Sequence, residues 1–106
     1  MNDFAPKSQT VVIVNHLGMH ARAAAKFAQL SDQFNATVAL EKDGLIASTD
    51  SIMELMMLTA GPGDMVIIKT IGPEAPEALA ALVDLVQQGF GEELTTLKIN
   101  QPESKA

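Results

Sequence analysis

Asp43-Gly44 stands between two runs of strand-forming residues, Thr37 to Lys42 and Leu45 to Thr49. An Asp-Gly pair in that setting supplies the positive φ angles of a tight two-residue turn, whose arms pair antiparallel. A parallel sheet would need long crossovers instead, so the pair argues for an antiparallel one. Everything else must be built around that hairpin in 106 residues, enough for one domain with a single modest core.

The flanking sequence supplies the remaining elements. Gln9 to Asn15, QTVVIVN, is β-branched and reads as a strand that Leu17-Gly18-Met19 interrupts. From His20 the run HARAAAKFAQLSDQF is rich in the best helix former. Ala24, Phe27, Ala28 and either Leu30 or Phe34 form its apolar face, with Arg22, Lys26, Gln29 and Gln33 largely opposite. Ser51-Ile52-Met53-Glu54 fits a capping box, so a short helix, IMELMMLTA, is predicted before Gly61-Pro62-Gly63 stops it. Asp64 to Ile71 is the fourth strand. Gly72-Pro73 turns the chain into a helix over about 75–88, with Leu79, Leu82, Val83 and Val86 as its stripe and Gly89 as its C′ residue. The order is β-α-β-β-α-β-α. It predicts an α+β, two-layer open-faced sandwich: a four-stranded antiparallel sheet covered on one face by three helices. Residues 1–93 are expected to form this single domain and 94–106 a flexible tail.

Composition narrows the function. The absence of cysteine removes disulfides, thiol nucleophiles and Cys-based metal sites. A net charge of −6 argues against a nucleic-acid grip. The apolar runs fall far short of a membrane span, and the start, MNDFAPKSQT, does not read as a signal peptide. A cytoplasmic protein with no cofactor is expected, with neither nucleic-acid partners nor membrane insertion. The charge is unevenly placed: residues 1–30 carry Lys7, Arg22 and Lys26 against Asp3, whereas 71–96 carry only acids.

The stretch Asn15 to Ala23, NHLGMHARA, puts an imidazole where a helix begins. The first N–H groups of a helix, here including those of Ala21 and Arg22, lack intrahelical partners, and its dipole favours anions. The same field disfavours an imidazolium, and a neutral ring has a free lone pair for nucleophilic attack. A phosphoryl group on His20 would find backbone donors and the Arg22 guanidinium. No G-x-x-x-x-G-K-[ST] loop and no Mg²⁺ carboxylate cluster accompanies the histidine, so another protein would have to donate. An ordinary half-exposed histidine at a helix start is the other reading of these residues. His16 and His20 have i, i+4 spacing, but Gly18 lies between them and no third ligand is evident, which speaks against a metal site.

GMHARAAAKFA resembles the active-site motif of the histidine-containing phosphocarrier (HPr) family, nearest to its nitrogen-related, NPr-like bacterial members. DSIMELMMLTAGPGD and GPEAPEALAALVDLVQQGFGEE resemble two further blocks of that family, so the likeness spans residues 8–93. The resemblance implies that His20 is phosphorylated on Nδ1 by enzyme I, which is charged by phosphoenolpyruvate, and that an enzyme IIA-type protein accepts the group. It implies that Arg22 is the active-site arginine. Ser51 is implied as a regulatory serine, which in some members an ATP-dependent HPr kinase/phosphorylase modifies. It further implies that Met19, Ile52, Met53 and Met56 belong to a docking patch, and a monomer is expected. The chain would then be a protein intermediate of phosphotransfer rather than a self-sufficient enzyme, serving either sugar uptake or nitrogen-related regulation.

Two departures from the family pattern stand out. Ala23 replaces a common proline that would pre-set φ in the first turn, and His16 reads as a solvated loop residue. Ser51 has a structural role of its own as an N-cap. Among the methionines of the short helix, Met57 is assigned to the core, and at least one of the others must be exposed. The competing function is a non-catalytic regulatory docking module of the same fold, with His20 merely part of its surface.

Overall fold

The structure, a computed structural model, describes residues 5–92. The tail expected to be flexible, 94–106, lies outside them. The elements are β1 (Lys7–Val12), α1 (Ala21–Ser31), β2 (Thr37–Lys42), β3 (Leu45–Ser48), α2 (Ile52–Met57), β4 (Met65–Ile71) and α3 (Ala75–Gln87), followed by a single 3-10 turn at Gly89–Gly91. The strands lie in the order β1-β4-β2-β3, and every neighbouring pair is antiparallel. Three helices cover one face. The expected α+β open-faced sandwich is the observed architecture.

The hairpin behaves as its dipeptide requires. Asp43 and Gly44 have φ of 53° and 85°, the double positive φ of a type I′ turn, and Lys42 pairs with Leu45 directly across it. Alternation along the strands then sets the core: Val11, Val38, Leu40, Ala47, Val66 and Ile68 point inward. Against them pack Phe27 of α1, Leu55 of α2, Leu82 and Val86 of α3, and Phe90 from the final turn. On α1, Ala23 and Ala24 are both fully buried, so small side chains bring this helix close to its neighbours.

Several boundaries differ from expectation for local reasons. β1 ends at Val12, although the chain stays tied to the loop before β4 by Ile13 N–H to Asp64 O (2.9 Å) and Gly63 N–H to Ile13 O (2.8 Å). α2 ends at Met57, because Thr59 takes a positive φ of 50° directly after the C-cap Leu58. The capping box is only half formed. Ser51 Oγ accepts the Glu54 N–H (3.1 Å), but the Glu54 carboxylate accepts from the Ser48 N–H (3.0 Å) rather than from Ser51. At the end of α3, Gly89 has the left-handed φ (65°) expected of a C′ residue. Phe90 shares that conformation and drops its ring into the core, turning the chain back towards the start of α1.

Candidate functional site at the start of α1

The loop 15–20 is pressed onto the chain leaving α2. Gly18 has φ 66°, and a Cβ placed there would lie 2.4 Å from Ala60 O, so only glycine fits. The Met19 N–H donates to the same Ala60 oxygen (2.9 Å). Asn15, fully buried, donates through Nδ2 to Gly18 O (2.9 Å) and holds the turn closed.

That loop delivers His20 to the N-cap of α1 in an extended conformation, with φ −82° and ψ −178°. Its ring is the cap: the Arg22 N–H donates to Nδ1 at 3.2 Å. On the opposite side of the ring, Nε2 lies 2.7 Å from Glu92 Oε2. The other carboxylate oxygen, Oε1, accepts from Asn15 Nδ2 at 3.0 Å, and Arg22 Nη1 stands 3.6 Å from Oε2. Burial opposes the Glu92 charge. The Asn15 amide, the His20 ring and the Arg22 guanidinium outweigh it, and they hold the carboxyl below its ordinary value. His16, Leu17, Arg22 and Glu92 line a depression of about 210 Å³ beside the ring.

Two of these residues have no role assigned to them by the sequence. Asn15 stood in the histidine stretch without an assigned role, and Glu92 belonged to the segment read as purely acidic. The structure overturns that segregation, because the last turn folds an acid onto the cationic start of α1. Lys26 joins the same closure, with Nζ donating to Phe90 O at 2.7 Å. The one sequence signal for this return is Gly89-Phe90-Gly91, two glycines flanking an aromatic just past a helix.

The remaining candidates divide. Ile52, Met53 and Met56 are exposed on α2, next to the loop that carries His20. Met19 is not. It is 4% exposed, because the Gly18 turn and the Ala60 hydrogen bond direct its side chain into the core, so it leaves the docking patch. Met57 is a second correction: it is 69% exposed rather than core. A six-residue helix buries one narrow stripe, and Leu55 with the C-cap Leu58 fills it. Leu17 adds an exposed apolar side chain beside His20. Ser51 is half-buried and capping.

A family model described as "PTS HPr component phosphorylation site" matches residues 7–88. The chain belongs to the HPr phosphocarrier family of the phosphotransferase system. It is 45% identical over 80 residues to the phosphocarrier protein HPr of Cupriavidus necator, covering 76% of this chain and 90% of that protein. It is 43% identical over 86 residues to the phosphocarrier protein NPr of Escherichia coli K12, covering 80% of this chain and 96% of that one. Among solved structures, HPr from Thermoanaerobacter tengcongensis superposes with a TM-score of 0.78 at 41% identity, over 83% of this chain and 99% of the other. The HPr fold thus brings the histidine motif, the half-formed cap at Ser51 and the exposed α2 face into one molecule.

Proposed function

We propose that this HPr-family domain, residues 1–93, carries phosphoryl groups on His20. It accepts them on Nδ1 from an enzyme I-type donor and passes them to an enzyme IIA-type acceptor. The observation that carries this reading is the His20 ring itself, whose Nδ1 accepts the Arg22 N–H at the start of α1, where the first N–H groups of a helix have no intrahelical partner. A phosphoryl group attached there meets those donors and the helix dipole, while the mostly exposed Arg22 guanidinium is free to swing onto its oxygens. One arginine neutralises the group only partly, which suits a carrier that must release it. Transfer runs in line between protein nucleophiles, with the partners supplying much of the transition-state electrostatics.

Ile52, Met53 and Met56, with Met57 and Leu17 added, form the docking surface in this proposal. Flexible methionines suit a face that meets donor and acceptor in turn. The contacts are small and short-lived, and the carrier works as a cytoplasmic monomer in nitrogen-related regulation. Phosphorylation of Ser51 by an HPr kinase/phosphorylase would place about two negative charges next to that surface and weaken docking. The test is incubation with phosphoenolpyruvate and a cognate enzyme I. An acid-labile, base-stable adduct forms on the wild type and is absent from His20→Ala. No adduct on the wild type, or one that persists in His20→Ala, leaves a docking module in its place.

A further inference from the structure

We infer that Met53, Met56 and Met57 are reversible oxidation sites, and that their conversion to sulfoxides by a hydroperoxide weakens the docking of this carrier to its partners. The inference rests on the docking surface proposed above and adds a chemical modification of it.

Sulfur is unevenly placed in this chain. It has no cysteine, so thioethers are the only sulfur that an oxidant can reach. Three of them, Met53, Met56 and Met57, stand on α2 and are all exposed, the least of them, Met56, by 39%. A six-residue helix that turns these side chains to solvent draws little core burial from them. It is fastened instead by Leu55 and Leu58, both buried, and by the Ser51 cap. The attachment of α2 therefore does not depend on the oxidation state of its sulfurs. The other described methionines provide two contrasts. Met19 is buried in the core and shielded from peroxide. Met65 is 64% exposed, comparable to Met57, but it lies beside inward-pointing Val66 on β4 and so alternates onto the sheet face that no helix covers.

The step balances with a hydroperoxide as co-reactant. A thioether lone pair attacks one peroxide oxygen, an S–O bond forms and the O–O bond breaks. The departing hydroxide takes the proton left on the sulfur-bound oxygen and leaves as water. Sulfur is oxidised by two electrons, and the peroxide is reduced by the same two. A thiol-dependent sulfoxide reductase reverses the change: two thiols become a disulfide, and the oxygen leaves as water. Oxidation replaces a flexible apolar side chain by a polar, chiral one. Docking strips water from this face, and a sulfoxide oxygen pressed against a partner's apolar surface loses its hydration without gaining a donor. His20 caps α1, a different helix, so oxidation of α2 acts on the encounter and leaves the transfer step alone.

The test treats the protein with hydrogen peroxide, removes the excess, locates the added oxygens by peptide mass spectrometry, and measures the kinetics of the product as substrate of enzyme I. Sulfoxides should form at Met53, Met56, Met57 and Met65, and Met19 should stay unmodified. KM should rise about tenfold, the order expected when polar groups are buried without partners, with kcat and the thermal midpoint unchanged. Sulfoxide reductases for both epimers should return KM to its starting value. In a variant carrying Met53→Leu, Met56→Leu and Met57→Leu, peroxide should leave KM at whatever value that variant has untreated. Met65→Leu should respond to peroxide as the wild type does. An unchanged KM after oxidation of the three α2 methionines overturns the inference while the carrier function stands. So does a Met65 sulfoxide formed with the α2 methionines left intact, or a rise in KM that persists in the triple leucine variant. A fall in kcat or in the thermal midpoint with KM unmoved also overturns it, because the damage then lies in the chemistry or the fold. Absence of any adduct on the untreated wild type overturns the carrier function and this inference together.

Discussion

α1 and α2 each begin beneath a capping side chain, His20 in one helix and Ser51 in the other, and the two caps are built differently. Ser51 belongs to a preferred N-cap type, and its partners all lie between Ser48 and Leu55. His20 is an unusual cap whose Nδ1 bond is the longer, at 3.2 Å against 3.1 Å. Its other nitrogen is committed to a residue 72 positions away. A local cap suffices to start a helix. The imidazole at the start of α1 is held from across the molecule.

Substitutions can break this contrast. The largest stability effect falls on the His20 side, where Gly18→Ala forces a Cβ against Ala60 O in a backbone conformation that L residues avoid. A loss of about 2–4 kcal/mol in urea unfolding is expected. A variant as stable as wild type would show that the loop is free to lift away. On the α2 side, Met53→Glu places a charge on a side chain that is 71% exposed. It should raise KM for enzyme I several-fold while leaving kcat and the thermal midpoint alone, and an unchanged KM would remove Met53 from the docking surface. Ser51→Ala should cost about 1 kcal/mol in stability and leave phosphorylation of His20 intact, which separates a cap that only folds from one that also reacts.

The smallest effect is in pH. The Glu92 carboxyl titrates below its ordinary value in the folded chain, so its contribution to stability is present above the unfolded pKa of about 4.3. That contribution is lost as pH falls through the lower folded value. The stability difference between wild type and Glu92→Gln should therefore be complete at neutral pH and vanish in acid. A difference that grows on acidification would contradict the pairing.

Local chemistry made most of the fold legible. Asp43-Gly44 defines the hairpin, Ser51 starts α2, and Gly89 ends α3, each through interactions within a few residues. His20 and Arg22 could be read because a helix start beside a histidine is itself a local arrangement. Glu92 could not, since neither periodicity nor spacing links residues 20 and 92, and it joins the site only because Phe90 takes a left-handed conformation and reverses the chain. Met57 departs from expectation for a related reason. Periodicity gives the relative angle of Met53 and Met57, while which stripe is buried depends on packing against α1 and β3. Met19 was misplaced because its direction follows from the Gly18 turn.

The closing turn at Gly89–Gly91 has a consequence for how the molecule is made. Synthesis runs from residue 1 onwards, so the histidine motif emerges long before its acid. Until α3 docks and Phe90 seats in the core, His20 has its cap but not its clasp, and Lys26 has no carbonyl to fasten. A partly made or C-terminally nicked chain would display the whole HARAAAKFA signature while leaving the ring free to adopt either tautomer. The full set of contacts on the His20 ring is thus acquired only when the turn after α3 closes.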